Sequence, residues 1–143
     1  MKVIAVMGSP RKGGRSDAVC ERVLQGARDG GHEVVVYRVN DMNLRGCQGC
    51  GYCKDNNHDC ILANDLKPYW KDLHEAGVLV LSAPNYCSRI CGPMITYMNR
   101  HCCLIGRNEN GGFVRVHPGI KLIGVFSQGA PRYEKACEAG KNL

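Results

Sequence analysis

The chain has 143 residues, 44% hydrophobic and 22% charged, with a formal charge of +6. These proportions suit one globular domain with its own core and exclude disordered or fibrous classes. No apolar run approaches the roughly 20 residues of a membrane span, and the run in MKVIAVMGSP is too short for a secretory leader, so no membrane partner is expected and the cytoplasm is the expected location.

KVIAVM (2–7) is a short apolar run that stops at Gly-Ser-Pro, as a strand buried on both faces does. From Ser16 to about Gly30, Val19, Val23, Leu24 and Ala27 form a helical stripe, with Asp17 near its start and Gly30-Gly31 at its end. HEVVVYRV (32–39) is rich in β-branched residues and predicts a second strand. A cysteine segment without periodicity follows. Asn64 is placed to cap a helix running to about Ala76, with Leu66, Trp70 and Leu73 on one face and Pro68 near its first turn. VLVLSAP (78–84) predicts a third strand, 93–104 a helix, and IKLIGVFS (120–127) a fourth strand; the helical pattern resumes from Tyr133 to Lys141. Strands alternating with helices imply an α/β fold with a parallel sheet, whose ligands bind beyond the C-terminal strand ends. Those ends are GSPRKGGRS, SAPNYCSR and SQGAP.

GSPRKGGRS (8–16) combines small residues, two hydroxyls, three cations and a following helix N-terminus, which is what a phosphate requires. It is not a dinucleotide fingerprint, because residue 10 is Pro, nor a Walker A loop, because Gly14 and Arg15 fall where Lys and Ser/Thr belong. It matches the spacing of a cysteine-phosphatase loop, with Ser9 at the nucleophile position before Arg15 and Ser16. Without a thiolate such a loop binds a phosphate and does not cleave it. The competing reading is an ordinary βα turn whose basic residues face water. Elsewhere the basic residues are scattered and not interleaved with aromatics, which argues against a nucleic-acid partner.

Ten cysteines in a chain without export signals point to metal ligation or redox chemistry. The spacing C47-x2-C50-x2-C53-x6-C60 suits an iron–sulfur cluster. Zinc sites more commonly pair two separate C-x2-C steps, so the cluster reading leads and zinc and free thiols stand as its alternatives. Cys20, Cys102, Cys103 and Cys137 fall in predicted helices, where a buried thiol acts as a small hydrophobe, while Cys87 and Cys91 lie at the second loop as candidates for cofactor contact.

MGSPRKGGRSDA, LRGCQGCGYC and VLVLSAPNYCSRICGPMITYMNR, in that order, resemble the iron–sulfur flavoproteins, a branch of the flavodoxin-like NAD(P)H-dependent FMN reductase family. The resemblance implies a doubly wound parallel sheet with a cluster loop at 46–61 after the second strand. It implies that Ser9, Arg11 and Ser16 hold the FMN phosphate, with Arg15 standing where relatives usually carry Asn. Pro84, Asn85, Tyr86, Ser88 and Gly129 would line the flavin ring, and Cys47, Cys50, Cys53 and Cys60 would hold a [4Fe–4S] cluster. Asn85 and Cys87 replace an aliphatic and an aromatic residue of the relatives. The expected activity is electron transfer from ferredoxin or NAD(P)H to a small-molecule electron acceptor (a quinone, oxygen or peroxide), in a homodimer or homotetramer. A fifth strand is expected of the fold, and the chain, read as one domain over 1–143, is expected to be truncated after Leu143. Two other functions remain open: a cluster-free FMN or quinone reductase, and a non-enzymatic zinc-stabilised phosphate-binding module.

Overall fold

A computed structural model describes residues 1–115 and 119–129. Four parallel strands form its centre: β1 (Lys2–Met7), β2 (Glu33–Arg38), β3 (Ala76–Tyr86) and β7 (Lys121–Ser127), in the order β2-β1-β3-β7. β4 (Arg89–Ile90) folds back antiparallel on the end of β3, and β5 (Ile105–Arg107) and β6 (Phe113–Arg115) form a separate two-stranded hairpin. The helices are α1 (Arg15–Asp29), α2 (Tyr52–Asn56), α3 (Lys67–Glu75) and α4 (Gly92–Met98), the last continued by a tighter 3-10 segment over Asn99–Leu104.

Both faces of the sheet are covered because the runs Val3–Met7 of β1 and Val78–Leu81 of β3 are apolar on both sides. Val3, Ala5 and Met7 point to one side with Val80 and Val125, where Cys20 and Leu24 of α1 meet them. Ile4 and Val6 point to the other, with Leu79, Leu81 and Ala83, against Tyr69, Trp70 and Leu73 of α3 and Met94 and Tyr97 of α4. Each fully buried Val, Leu, Ile or Met among them contributes roughly 1.5–3 kcal/mol by leaving water. The sheet's N-terminal end is tied by polar contacts. Lys2 Nζ donates to Asp72 and Glu75, and the Tyr37 hydroxyl donates to Asp72. Lys2 and Tyr37 thereby hold the Asp72 carboxyl below the usual carboxylate range.

Several boundaries differ from expectation. Asn64 Oδ1 accepts the N–H of Leu66 in a turn ahead of α3, and Leu66 itself occupies the cap position. Ala76 and Gly77 belong to β3, because pairing with β1 begins at Lys2↔Ala76. The helix expected over 93–104 tightens after Met98. The Gly-rich stretch after it turns back as a hairpin, in which Asn108 accepts the N–H groups of Asn110 and Gly112. The helical pattern from Tyr133 to Lys141 lies outside the described residues, and no helix among the described residues is long and apolar enough to cross a membrane.

Candidate functional site

The C-terminal ends of β1, β3 and β7 enclose a cleft of about 710 Å³, within the range of small-molecule and cofactor sites. Ser9, Arg11, Arg15, Ser16, Pro84, Asn85, Tyr86 and Gly129 line it, joined by Lys12, Gly13, Gly14, Ser127 and Gln128. Parallel pairing of β3 with both β1 and β7 brings the three loops together. Ser88 is not on the cleft wall. It sits with Cys87 at the tip of the β3–β4 turn, both at positive φ.

The first loop is held by its own bonds. Ser9 Oγ donates to the Arg11 carbonyl and accepts the Arg11 N–H, so its hydroxyl is engaged within the turn. Asp17, 3% exposed, accepts the Gly13 N–H and the Arg38 guanidinium, which fastens the loop to the end of β2. Lys12 pairs with Asp41. Arg11 and Arg15 have no carboxylate partner among the described residues, and Arg15 opens α1, whose N-terminus already carries positive partial charge. Asp17 in the first turn is already engaged by Gly13 and Arg38, so the charges of Arg11 and Arg15 at this helix N-terminus are left for an anionic ligand to neutralise. Across the cleft, Asn85 Oδ1 is buried and accepts no hydrogen bond from the described residues, which leaves an acceptor for a donor on a bound ring.

Cys47, Cys50, Cys53 and Cys60 line a second, small pocket of about 20 Å³, with Gln48, Arg100, Cys102 and Cys103 on the same wall. Burial raises the Cys53 thiol, and Cys60, Cys47 and Cys50 each push it further in the same direction, so the four sulfurs lie within electrostatic reach of one another. They are not set as a finished metal site, however. Among the described residues no group of three or more His, Cys, Asp or Glu side chains is arranged to hold a metal ion, and Cys47 and Cys50 are exposed while Cys53 and Cys60 are half-buried. The donor chemistry fits a thiolate-held centre, and closing it requires the outer half of the loop to move inward.

The inner half is anchored. Lys54 Nζ donates to the carbonyls of Cys102 and Ile105, and the Asn57 amide exchanges two hydrogen bonds with the backbone of Arg107. Arg100 is 1% exposed, and its guanidinium donates to the Arg45 carbonyl and to Cys60 Sγ at 3.1 Å. Of the cysteines expected to be buried in helices, Cys20 and Cys103 are, their thiols raised by burial to about 11 and about 12. Cys102 is instead exposed. The 3-10 winding after Met98 breaks the 3.6-residue register that predicted it inside. Cys91 is buried and donates to the Gly8 carbonyl, and neither it nor Cys87 lines the cleft. Arg100, Cys102 and Cys103 had no signal linking them to a segment 40 residues earlier.

Beside this wall lies a buried polar chain. Tyr97 donates to the Tyr69 oxygen, Tyr69 donates to His101 Nε2, and His101 Nδ1–H donates to the Tyr97 carbonyl. Every donor is used if His101 is neutral, and burial lowers its pKa from 6.5 to about 4.

The fold and the strand-end cleft define a flavodoxin-like α/β protein. Residues 1–118 match the family described as NADPH-dependent FMN reductase, and the chain belongs to that family. Its curated relatives fall in the iron–sulfur flavoprotein branch. One from Methanocaldococcus jannaschii is 32% identical over 120 residues, covering 81% of this chain and 62% of the relative. One from Archaeoglobus fulgidus is 26% identical over 124 residues, covering 84% and 56%. The chain thus spans somewhat over half the length of these relatives. Among solved structures, an NAD(P)H:quinone oxidoreductase from Methanothermobacter marburgensis superposes with a TM-score of 0.72 at 18% identity, covering all of this chain and 72% of that one. An azoreductase from Bacillus anthracis superposes at 0.66 with 19% identity, covering 96% and 74%.

Proposed function

We propose that residues 1–143 form one FMN-binding domain that also carries a [4Fe–4S] cluster on Cys47, Cys50, Cys53 and Cys60. It passes electrons from ferredoxin or NAD(P)H to a small acceptor such as a quinone, oxygen or peroxide. The carrying observation is the strand-end cleft, where Arg11 and Arg15 at the start of α1 have no carboxylate partner, and the Asn85 oxygen opposite has no donor, among the described residues.

FMN, when bound, supplies two-electron chemistry and the cluster single-electron chemistry. The chain's own part is to bind and orient. Arg11 and Arg15 neutralise the phosphate, the first-turn amides of α1 face it, and Ser16 lies beside them. Pro84, Tyr86 and Gly129 bound the ring site, and Asn85 Oδ1 accepts a ring N–H. The cysteines ligate as thiolates, so loading iron releases protons and draws in the exposed Cys47 and Cys50. From the β3–β4 turn to Arg100 the chain runs through β4 and α4, which connects the cleft side of the sheet to the cysteine pocket. Assembly as a homodimer or homotetramer completes the proposal; light scattering of the purified protein measures it.

The test is the visible absorption and the flavin, iron and sulfide content of protein prepared without oxygen. Flavin bands over broad iron–sulfur absorbance are expected. Flavin alone makes the chain a cluster-free reductase, and a colourless zinc-bearing sample ends the proposal.

A further inference from the structure

The guanidinium of Arg100 is fully enclosed, and no carboxylate pairs with it among the described residues. Among the described residues its hydrogen bonds go to one neutral carbonyl, that of Arg45, and one sulfur, that of Cys60, while its buried Nε–H has no acceptor. A buried cation with an orphan donor is strongly unfavourable unless an anion stands beside it. A neutral thiol is a poor acceptor for such a group. A thiolate, or a centre held by several thiolates, is a good one. The side chain that meets Arg100 is the last of the four spaced cysteines, and Arg100 lines the same pocket as the other three.

We propose that Arg100 is the built-in counter-charge of an anionic thiolate-held iron–sulfur centre at Cys60, and that it raises the reduction potential of that centre. This rests on the cluster reading above. Adding one electron makes a four-thiolate centre more negative, and a neighbouring cation favours the more negative state. Hydrogen bonding to a ligand sulfur acts in the same direction. Arg100 is therefore a positioning and tuning residue, not a ligand.

Anaerobically reconstituted wild type, Arg100→Gln and Arg100→Lys are compared for iron and FMN per chain and for midpoint potential in a dye-mediated titration. FMN binding is unchanged in all three. Arg100→Gln lowers the midpoint potential and speeds iron loss to a chelator several-fold, and Arg100→Lys, which keeps the charge but not the fork, falls between. A role limited to holding the Arg45 carbonyl leaves the potential unmoved at equal iron content, and equal potentials overturn the proposal. If only Arg100→Gln fails to load iron, the requirement for charge is supported.

A measurement on the wild type covers the case in which neither variant loads. In protein labelled with 15N-arginine, the Arg100 Nε–H signal broadens when iron and sulfide are added while the Arg11 and Arg15 signals persist. An Arg100 signal that stays sharp in the loaded protein overturns the proposal. Wild type that takes up no iron removes the cluster reading itself, whereas loaded wild type with a sharp Arg100 signal removes only the role of Arg100.

Discussion

The phosphate-type loop and the cysteine loop face opposite problems. Residues 8–17 are closed before any ligand arrives: Ser9 bonds back to Arg11, Asp17 holds Gly13, and Arg38 holds Asp17. The cysteine loop is half closed. Lys54, Asn57 and Arg100 fasten its inner end, while Cys47 and Cys50 stand in solvent with little beyond local bonds from Gln48 and Gly49. A phosphate is a stable solute that a rigid cradle can wait for. A metal centre is itself the cross-link, so its loop gains order only as the thiolates are drawn in.

The sharpest break in the comparison is Cys53→Ala. It removes a thiol from the anchored half, so iron and sulfide content falls to background while FMN affinity stays at the wild-type value. Iron retained in full would show that the four spaced cysteines are not the ligand set. The next largest effect is on acid stability and falls on the cysteine side. His101 is held neutral in the fold with a pKa of about 4 against an ordinary 6.5. Between those values the unfolded chain binds the additional proton, so stability falls as pH drops from 6.5 and levels off below about 4. The full shift corresponds to about 3 kcal/mol. Urea titrations across that window should show this slope in the wild type and a flatter one in His101→Gln. Equal slopes would place the acid sensitivity elsewhere.

Much of this division was legible in the residues. KVIAVM and VVVYR read as strands because β-branched runs between turn residues have few alternatives, and β1 and β2 follow them closely. The loop residues Ser9, Arg11, Arg15 and Ser16 converge with Pro84, Asn85, Tyr86 and Gly129 because parallel order puts strand C-termini at one edge. Less legible was anything decided by pairing at a distance. Gly77 resembles a helix stop, yet β3 begins ahead of it with the pairing Lys2↔Ala76, and Gly77 is the extra residue where the register shifts before Val3↔Val78. The turn-rich 108–112 reads as a loop, and only its neighbours' antiparallel pairing makes it a hairpin that docks α2. Arg100 looks like a helix-surface cation in the sequence. Its burial follows from the 3-10 turn that swings it under Cys60. Ser88 was placed at the ring by the family resemblance, but the chain turns at Cys87 and Ser88, both at positive φ, and Ser88 does not line the cleft.

Arg15→Ala tests whether the closed loop is closed for a ligand. The side chain stands at the first residue of α1, where a cation opposes the helix dipole by roughly 0.3–1 kcal/mol. Flavin-free protein should therefore become slightly more stable on its removal. FMN affinity should fall roughly 10- to 100-fold, the equivalent of a lost charge-assisted bond of about 1.5–3 kcal/mol. Opposite signs in the two measurements mark a residue kept for binding. A variant that binds FMN as tightly as wild type would take Arg15 out of the phosphate site. Arg11→Ala should show the loss of affinity without the gain in stability, because Arg11 precedes the helix.

The smallest effect compares the two loops directly, through Gly13→Ala and Gly49→Ala. Both glycines have positive φ, 71° and 66°, and at neither would an added Cβ meet another atom within 4 Å. Sterically the two substitutions are equivalent, and each imposes a left-handed conformation costing about 1–2 kcal/mol on an L-residue where that conformation is enforced. At Gly13 it is enforced in the free protein, by the bond from its N–H to buried Asp17. Gly13→Ala should therefore lose about 1 kcal/mol in urea unfolding of cofactor-free protein. Gly49 lies in the exposed half of the cysteine loop, where the backbone can relax at little cost. Gly49→Ala should leave the cofactor-free protein within about 0.5 kcal/mol of wild type and show its penalty only as faster iron loss after loading. Equal destabilisation of the two cofactor-free variants would mean that the cysteine loop is as fixed as the phosphate loop, and that its thiols need no metal to bring them together.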